Sequence, residues 1–328
     1  MIVQFICRAI LLGVPLLYGS TGEIVTEKSG HLNLGIPGIM YVGAISGVIG
    51  AFLYENACGS VDNMNGVLAV LIPLVCAVLG STLMGFIYSF LTVTLRANQN
   101  VTGLALTTFG IGFGNFFGGS LIKLVDSGMP SIALTKTSGF FAMKLPFADK
   151  LGVVGELLFS HDFLTYAAII IALVVAFILN RTRVGLNLRS VGENPGTADA
   201  AGINVTKYKY VATCVGSAIA GLGGLQYVMS YANGVWTNNA FGDRGWMAIA
   251  LVIFALWKPS FAIVGSFIFG ALCNANNYIQ GLGTETQELF KMLPYVVTIV
   301  VLIITSMRKK REHQPPASLG VSYFREDR

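Results

Sequence analysis

FLTYAAIIIALVVAFILN, residues 163–180, runs eighteen positions without a charged side chain and then meets RTRVGLNLRSVGENPGTADAAGINVTKYKY, residues 181–210. A helix needs about 20 mostly apolar residues to cross a bilayer, and it must be a helix because lipid offers backbone groups no water partners. The first stretch has that character, and the second is a polar connection between two such helices. Working outward, further apolar windows fall at 3–22, 34–53, 66–95, 101–121, 208–229, 245–257, 260–280 and 291–307. The expected fold is an all-α, polytopic transmembrane helical bundle of about nine helices. It forms one membrane domain, 1–307, with the 181–209 connection inside it and a tail, 308–328. Lys258-Pro259 separates the seventh and eighth windows, where proline ends one helix. The third window is long and the seventh short, which predicts a broken or tilted helix.

Composition agrees. Of 328 residues 54% are hydrophobic and 11% charged, more apolar surface than one soluble core hides. The net charge of +5 does not make a nucleic-acid face, because the basic residues sit in loops beside apolar windows. The five cysteines, Cys7, Cys58, Cys76, Cys214 and Cys273, lack metal-ligand spacing and read as packing residues. His31, His161 and His313 are too scattered to suggest a metal or nucleophilic site. The first apolar stretch reads as a retained helix.

Orientation follows from the positive-inside rule. Arg181, Arg183, Arg189, Lys207 and Lys209 flank one connection, and Arg308, Lys309, Lys310 and Arg311 follow the last window, so both are expected to be cytoplasmic. Alternation then puts Lys28, Arg96 and Lys258 inside, with 14 of the 21 basic residues, and the N-terminus outside. The loops 54–65, 122–162 and 230–243 fall outside; Lys123, Lys136, Lys144 and Lys150 of the second are offset by Asp126, Asp149, Glu156 and Asp162. The tail carries Pro315-Pro316 and no apolar period, and is expected to be a mobile cytoplasmic end.

Within 181–210, Asn194-Pro195 supplies a helix start, Thr197 to Ala201 suit a short helix, and Gly202 stops it. Such a capped helix is a docking element or an ordinary positive-inside loop. Here a resemblance becomes specific. Gly185-Leu186, Leu188-Arg189, Val191-Gly192-Glu193-Asn194-Pro195, Ala198 and Ala201-Gly202-Ile203-Asn204-Val205 look like the coupling loop of ABC-transporter permeases of the branched-chain amino acid and simple-sugar class. The resemblance implies that Gly192, Glu193, Asn194, Pro195, Ala198, Ala201 and Gly202 form a coupling helix and its ends, that Arg189 anchors it, and that an ATPase docks there. Glu27-Lys28-Ser29-Gly30-His31-Leu32-Asn33-Leu34-Gly35-Ile36-Pro37-Gly38 is similar to the E-R-x-G-x-x-N-I-G-x-E-G segment of that class, with Pro37 where an acidic residue is usual and His31 atypical. Asn98-Gln99-Asn100-Val101-Thr102-Gly103-Leu104-Ala105-Leu106 resembles the start found in the nucleoside-uptake branch, and Gly242 to Leu251, followed by Pro259, resembles a helix of the wider permease family. The chain resembles the smaller of two different permeases and begins near the family's second helix.

Several polar residues are candidates for the solute path. Asn33, between Gly30 and Gly35, suits a broken helix lining a cavity or a helix-end cap. Gln99, Asn100, Thr102, Thr107, Thr108 and Asn115 give one segment a high density of neutral hydrogen-bonding groups, which must face a cavity or another helix. Phe109, Phe113, Phe116 and Phe117 lie among them, and aromatic faces with amides suit a base and a ribose. Gln226 is a further candidate. Asn274, Asn276 and Asn277 read as exposed at the outer end, and Asp243-Arg244 as an interfacial ion pair. Arg8 either snorkels outward or pairs inside the bundle.

The resemblance implies a non-catalytic permease subunit of an ATP-driven importer in a bacterial inner membrane, surrounded by lipid and taking up nucleosides or a related small polar solute. Its partners would be a second permease, P-loop ATPase subunits that bind ATP and Mg, and an extracytoplasmic substrate-binding lipoprotein. G-x-x-x-x-G-K-[ST], whose amides cradle nucleotide phosphates, is absent from the sequence. Simple sugars or branched-chain amino acids are the neighbouring alternatives. An ATP-independent carrier or channel is the rival class, and a proton-coupled carrier would be expected to carry carboxylates inside its apolar windows, where none is read. A membrane-embedded enzyme needs paired catalytic groups that the scattered histidines do not supply.

Overall fold

The computed structural model describes residues 2–125, 131–142, 152–275, 278, 284–308 and 314–325. Each of the nine apolar windows holds a helix: α1 (Ile2–Glu27), α2 (Ile36–Cys58), α3 (Gly66–Ser89), α4 (Gln99–Val125), α7 (Phe163–Arg181), α10 (Val205–Gln226), α11 (Arg244–Phe254), α12 (Pro259–Ala275) and α13 (Thr284–Arg308). Four more lie outside the windows: α5 (Thr135–Phe141), α6 (Gly152–Phe159), α8 (Arg183–Glu193) and α9 (Pro195–Ala200). Among the described residues, six helices are long and apolar enough to span a membrane, with α3 and α10 carried on by wide π turns to Thr94 and Tyr231. The chain is a multi-pass membrane protein.

Helices α2 and α10 form the centre, with 83% and 72% of their apolar windows buried, against 28% for α3 and 33% for α4. Small residues allow this crossing. A Cβ on Gly43 of α2 would come 2.5 Å from Cα of Gly221 on α10, and one on Gly110 of α4 would come 2.6 Å from the Gly38 carbonyl of α2. Helix α1 lies along α10 and α12.

Two ends of the bundle differ. At one, α7 turns into α8 and α9, and the α1–α2 connection (28–35), the end of α3 and the tail gather around them. At the other, the strand β1 (Ser131–Ala133) pairs antiparallel with β2 (Val235–Thr237), Ile132 opposite Trp236. Helix α5 closes over the end of α2 there, with Thr137 N–H on Glu55 Oε1 at 2.7 Å.

Several expectations are corrected. The first window ends too early: α1 continues to Glu27 and carries Glu23 and Glu27, which are 1% and 3% exposed, so buried carboxylates do stand on a membrane helix. The described part of 122–162 holds β1, α5 and α6 instead of open loop. Residues 183–193 are helix because Thr182 caps them, its Oγ1 accepting from Gly185 N at 3.2 Å, and they bury Gly185, Leu188, Val191 and Gly192. Asn274 is buried, donating to Phe5 O at 3.3 Å; Asn276 and Asn277 lie outside the described residues. No ion pair joins Asp243 and Arg244 among the described residues. Arg244 instead donates to the Ala240 and Phe241 carbonyls at 3.1 and 2.8 Å, with its guanidinium 4.5 Å from the Tyr227 ring centroid. The tail is not free over 314–325; its contacts belong to the site described next.

Candidate functional site

Helix α9 is built by its ends. Asn194 leaves the helical region, its Oδ1 accepts from Thr197 N at 3.0 Å, and Pro195 opens the first turn. Gly202 has φ +82°, which lets Gly202 N reach Asp199 O and Ile203 N reach Ala198 O at 2.9 and 3.0 Å. Ala198 points inward onto Val191 and Val205. Glu193, Asn194, Ala201 and Gly202 are exposed, so the helix shows both its ends outward.

Arg189, half-buried on α8, lines a cleft of about 360 Å³ with Lys28, Glu193, Trp257, Lys258 and Gln314. Burial pushes the Lys28 ammonium down from its ordinary value, and Glu193 opposes that shift. Gly192 is the contact point between segments. A Cβ there would run into the Lys28 carbonyl, and Gly192 O accepts from Ser318 N at 3.0 Å and Ser318 Oγ at 2.5 Å. The tail continues with Gly320 N on Gly30 O at 3.3 Å, Tyr323 Oη on Asp199 Oδ2 at 2.9 Å and an Arg325–Asp199 ion pair at 3.2 Å. The tail therefore straps α9 to the α1–α2 connection.

Two of the predicted polar residues bond at that connection, Asn33 within it and Gln99 at the start of α4. Asn33 takes Gly35 N on its Oδ1 at 2.9 Å, and its own N–H donates to Glu23 Oε1 at 3.0 Å. Gln99 takes Leu32 N on Oε1 at 2.8 Å and reaches Val321 O at 3.5 Å. Both side chains are buried at the α8–α9 end. Trp257 Nε1 donates to Glu27 Oε2. His31 is 1% exposed, 3.1 Å from Thr213 Oγ1; burial first, then Lys209, pushes its pKa down to about 3, so it stays neutral near pH 7. Gln226 is fully buried in α10, and both its amide atoms lack a partner among the described residues.

The remaining predicted residues lie along α4. Asn100, Thr108 and Phe109 are exposed on one stripe with Val101, Leu104 and Phe116, Asn115 is at its edge, and Thr102 is turned inward. Near the β1–β2 end, Asn115 Oδ1 accepts from Tyr41 Oη at 2.5 Å and its Nδ2 donates to Asn239 Oδ1 at 2.8 Å. Beside this cluster is a cleft of about 200 Å³ with Pro37, Tyr41, Ile111, Asn239, Phe241 and Trp246 in its wall. The structure thus groups Asn115 with Tyr41 and Asn239, which the sequence reading missed, and separates it from Asn33, Gln99 and Gln226. Asn239 has φ +60°, a conformation that Asn tolerates, and only the Asn238-Asn239 pair hints at it in sequence.

A protein-family model described as the permease component of branched-chain amino acid transport systems matches residues 5–302. Among individual relatives, the "Putative glucose ABC transporter permease protein TsgC13" of Haloferax volcanii is 30% identical, covering 95% of this chain and 94% of that protein. The nucleoside ABC transporter permease protein NupC of Lactococcus lactis is 30% identical over 91% of both chains. The guanosine ABC transporter permease protein NupQ of Bacillus subtilis is 29% identical, over 88% of this chain and 87% of its own. With its spanning helices, its capped helix between α8 and α10 and a match along nearly its whole length, this chain belongs to the family of branched-chain amino acid transport system permease components.

Proposed function

We propose that the chain is the transmembrane permease subunit of an ATP-driven importer that moves nucleosides by alternating access, with α9 as the element on which an ATPase acts. The observation that carries this reading is α9 itself, a short helix fixed at both ends, packed through Ala198 and exposing Glu193, Asn194, Ala201 and Gly202. Through Gly192 and the tail, a push on α9 reaches Lys28, Gly30 and Gln99, where α1, α2 and α4 begin or end. ATP and Mg are bound by the partner ATPase, and this chain does no chemistry. The α8–α9 end and the C-terminus face the cytoplasm of a bacterial cell, and the β1–β2 end receives a substrate-binding lipoprotein.

The exposed α4 stripe is where a second permease completes the path. Thr108, Phe109 and Asn115 face it, with Asn100 at its α8–α9 end, and the cleft at Tyr41 and Asn239 contributes aromatic faces and amides suited to a base and a ribose. Asn33, Gln99, Thr102 and Gln226 border that path from within, setting the positions of α2, α4 and α10. The glucose permease among the relatives supports a sugar as second reading.

The test is uptake of radiolabelled nucleoside in cells lacking this gene, with and without complementation. The reading requires uptake to fall on deletion, to return with the gene and to stop when ATP is depleted while the membrane potential is kept. Uptake of labelled glucose that follows the gene while nucleoside uptake does not would support the sugar reading. Transport that survives ATP depletion would point to a carrier.

A further inference from the structure

Between α9, the start of α10, the end of α3 and the tail lies a second cleft, of about 710 Å³. Arg96, Lys207, Lys209 and Arg325 line it, against one carboxylate, Asp199. Arg325 already pairs with Asp199, which leaves three cations without an opposite charge in the wall among the described residues. Lys209 is 3% exposed, and among the described residues its ammonium meets no acceptor. The stem is enclosed while the ammonium opens onto the cleft, so its charge is presented to whatever enters there. His31, also in the wall, is neutral.

A second feature converges on the same space. Helix α10 begins there: its cap, Asn204, and its first-turn residues Val205, Thr206 and Lys207 all border the cleft, and the cap takes only the Lys207 amide. The positive end of a 22-residue helix thus faces a cleft floored by an unpartnered lysine. The space exceeds what an inorganic ion needs, and Tyr210 and Tyr323 add ring surface.

The geometry points to an anion site for a phosphomonoester, held by Lys209, Lys207, Arg96 and the first turn of α10. Its organic part lies against Tyr210 and Tyr323. Because Tyr323 and Arg325 also hold Asp199 of α9, a bound ligand links the tail to α9 and stiffens the strap. The compartment that supplies the ligand rests on the orientation proposed above; in that orientation it is the cytoplasm, where a nucleoside kinase reaction converts an imported nucleoside into such an ester.

The test is equilibrium dialysis of a radiolabelled nucleoside 5′-monophosphate with the whole purified complex, which needs no transport and so can fail independently of the importer reading. Wild type is expected to bind saturably and more weakly as salt rises, Lys209→Met to bind at least tenfold more weakly, and Lys209→Arg to recover most of the loss. Arg96→Gln, at an exposed side chain, is expected to weaken binding severalfold and covers the case in which Lys209→Met does not fold. A parallel arm measures retention of anionic phospholipid from nanodiscs by mass spectrometry; lipid retained by wild type and lost in Lys209→Met or Arg96→Gln, with no monophosphate bound, makes a headgroup the source and keeps the site. Binding of neither ligand, binding unaffected by these variants, or a zero-length cross-link from Lys209 to an acidic residue of the ATPase in the phosphate-free complex would overturn it.

Discussion

Tyr323 donates to the carboxylate of Asp199 at 2.9 Å, across 124 residues of chain, so the described end of the tail is fastened to the C-terminal end of α9. Arg325 approaches the same oxygen at 3.2 Å but its side chain is 75% exposed, and an exposed pair of that kind contributes only about 0–1 kcal/mol. Tyr323→Phe should therefore matter more than Arg325→Ala. Hydrogen exchange should show the amides of Ser318 and Gly320 opening faster in the Tyr323 variant, with little change in the Arg325 variant.

Gly192 allows no side chain, because a Cβ would strike the Lys28 carbonyl and stand 3.1 Å from Gly30 N. Gly192→Ala should cost about 1–3 kcal/mol, the range for overpacking. Gly139, exposed on the outer side of α5, has open space around it, and Gly139→Ala should raise stability by up to about 1 kcal/mol. Thermal unfolding of the purified variants should place the two on opposite sides of wild type.

His31 gives a pH dependence with a definite sign. Its folded pKa, about 3, lies below the unfolded value near 6.5, so between these the unfolded chain binds more protons. Its contribution is complete above about pH 6.5 and is lost as pH falls toward 3, at about 1.4 kcal/mol per unit well inside that window. Melting curves from pH 7 to pH 5 should fall more steeply for wild type than for His31→Gln. Equal slopes would contradict the assignment.

Asn115→Ala removes a side chain that accepts a hydrogen bond from Tyr41 and donates one to Asn239. Each stranded partner costs about 1–3 kcal/mol where buried. Uptake by this variant should show a KM raised about tenfold or more, with ATP hydrolysis by the assembled complex nearly unchanged. A fall in hydrolysis with unchanged KM would place Asn115 outside the solute path.

What the sequence reveals depends on how local the physics is. The ends of α9 are legible because a cap, a proline and a glycine act over three or four residues, and the nine windows because hydropathy is summed along a helix. The last turn of α1 is missed because Glu23 and Glu27 look like an interface, while their partners Asn33 and Trp257 come from elsewhere. Helix α8 does carry an amphipathic period, with Leu188 and Val191 inward, and is missed because it is polar on average and its arginines read as a basic loop. The tail looks mobile because its partners, Gly30, Gly192 and Asp199, are all more than 100 residues away. Gln99 and Asn115 share a helix and a polar character, and only the packing shows that one bonds the α1–α2 connection and the other Tyr41 and Asn239.

The central claim is that α9 carries the ATPase's motion into the membrane. The measurement that tests it most directly is nucleoside uptake by a Glu193→Arg, Gly202→Pro double variant alongside wild type, at matched membrane levels. Proline cannot adopt the φ of +82° that Gly202 supplies, and Glu193→Arg reverses an exposed charge at the other end of the helix. The account predicts that the variant inserts, pairs with its permease partner and loses uptake together with stimulated ATP hydrolysis. Uptake at the wild-type rate from a correctly inserted variant would contradict it.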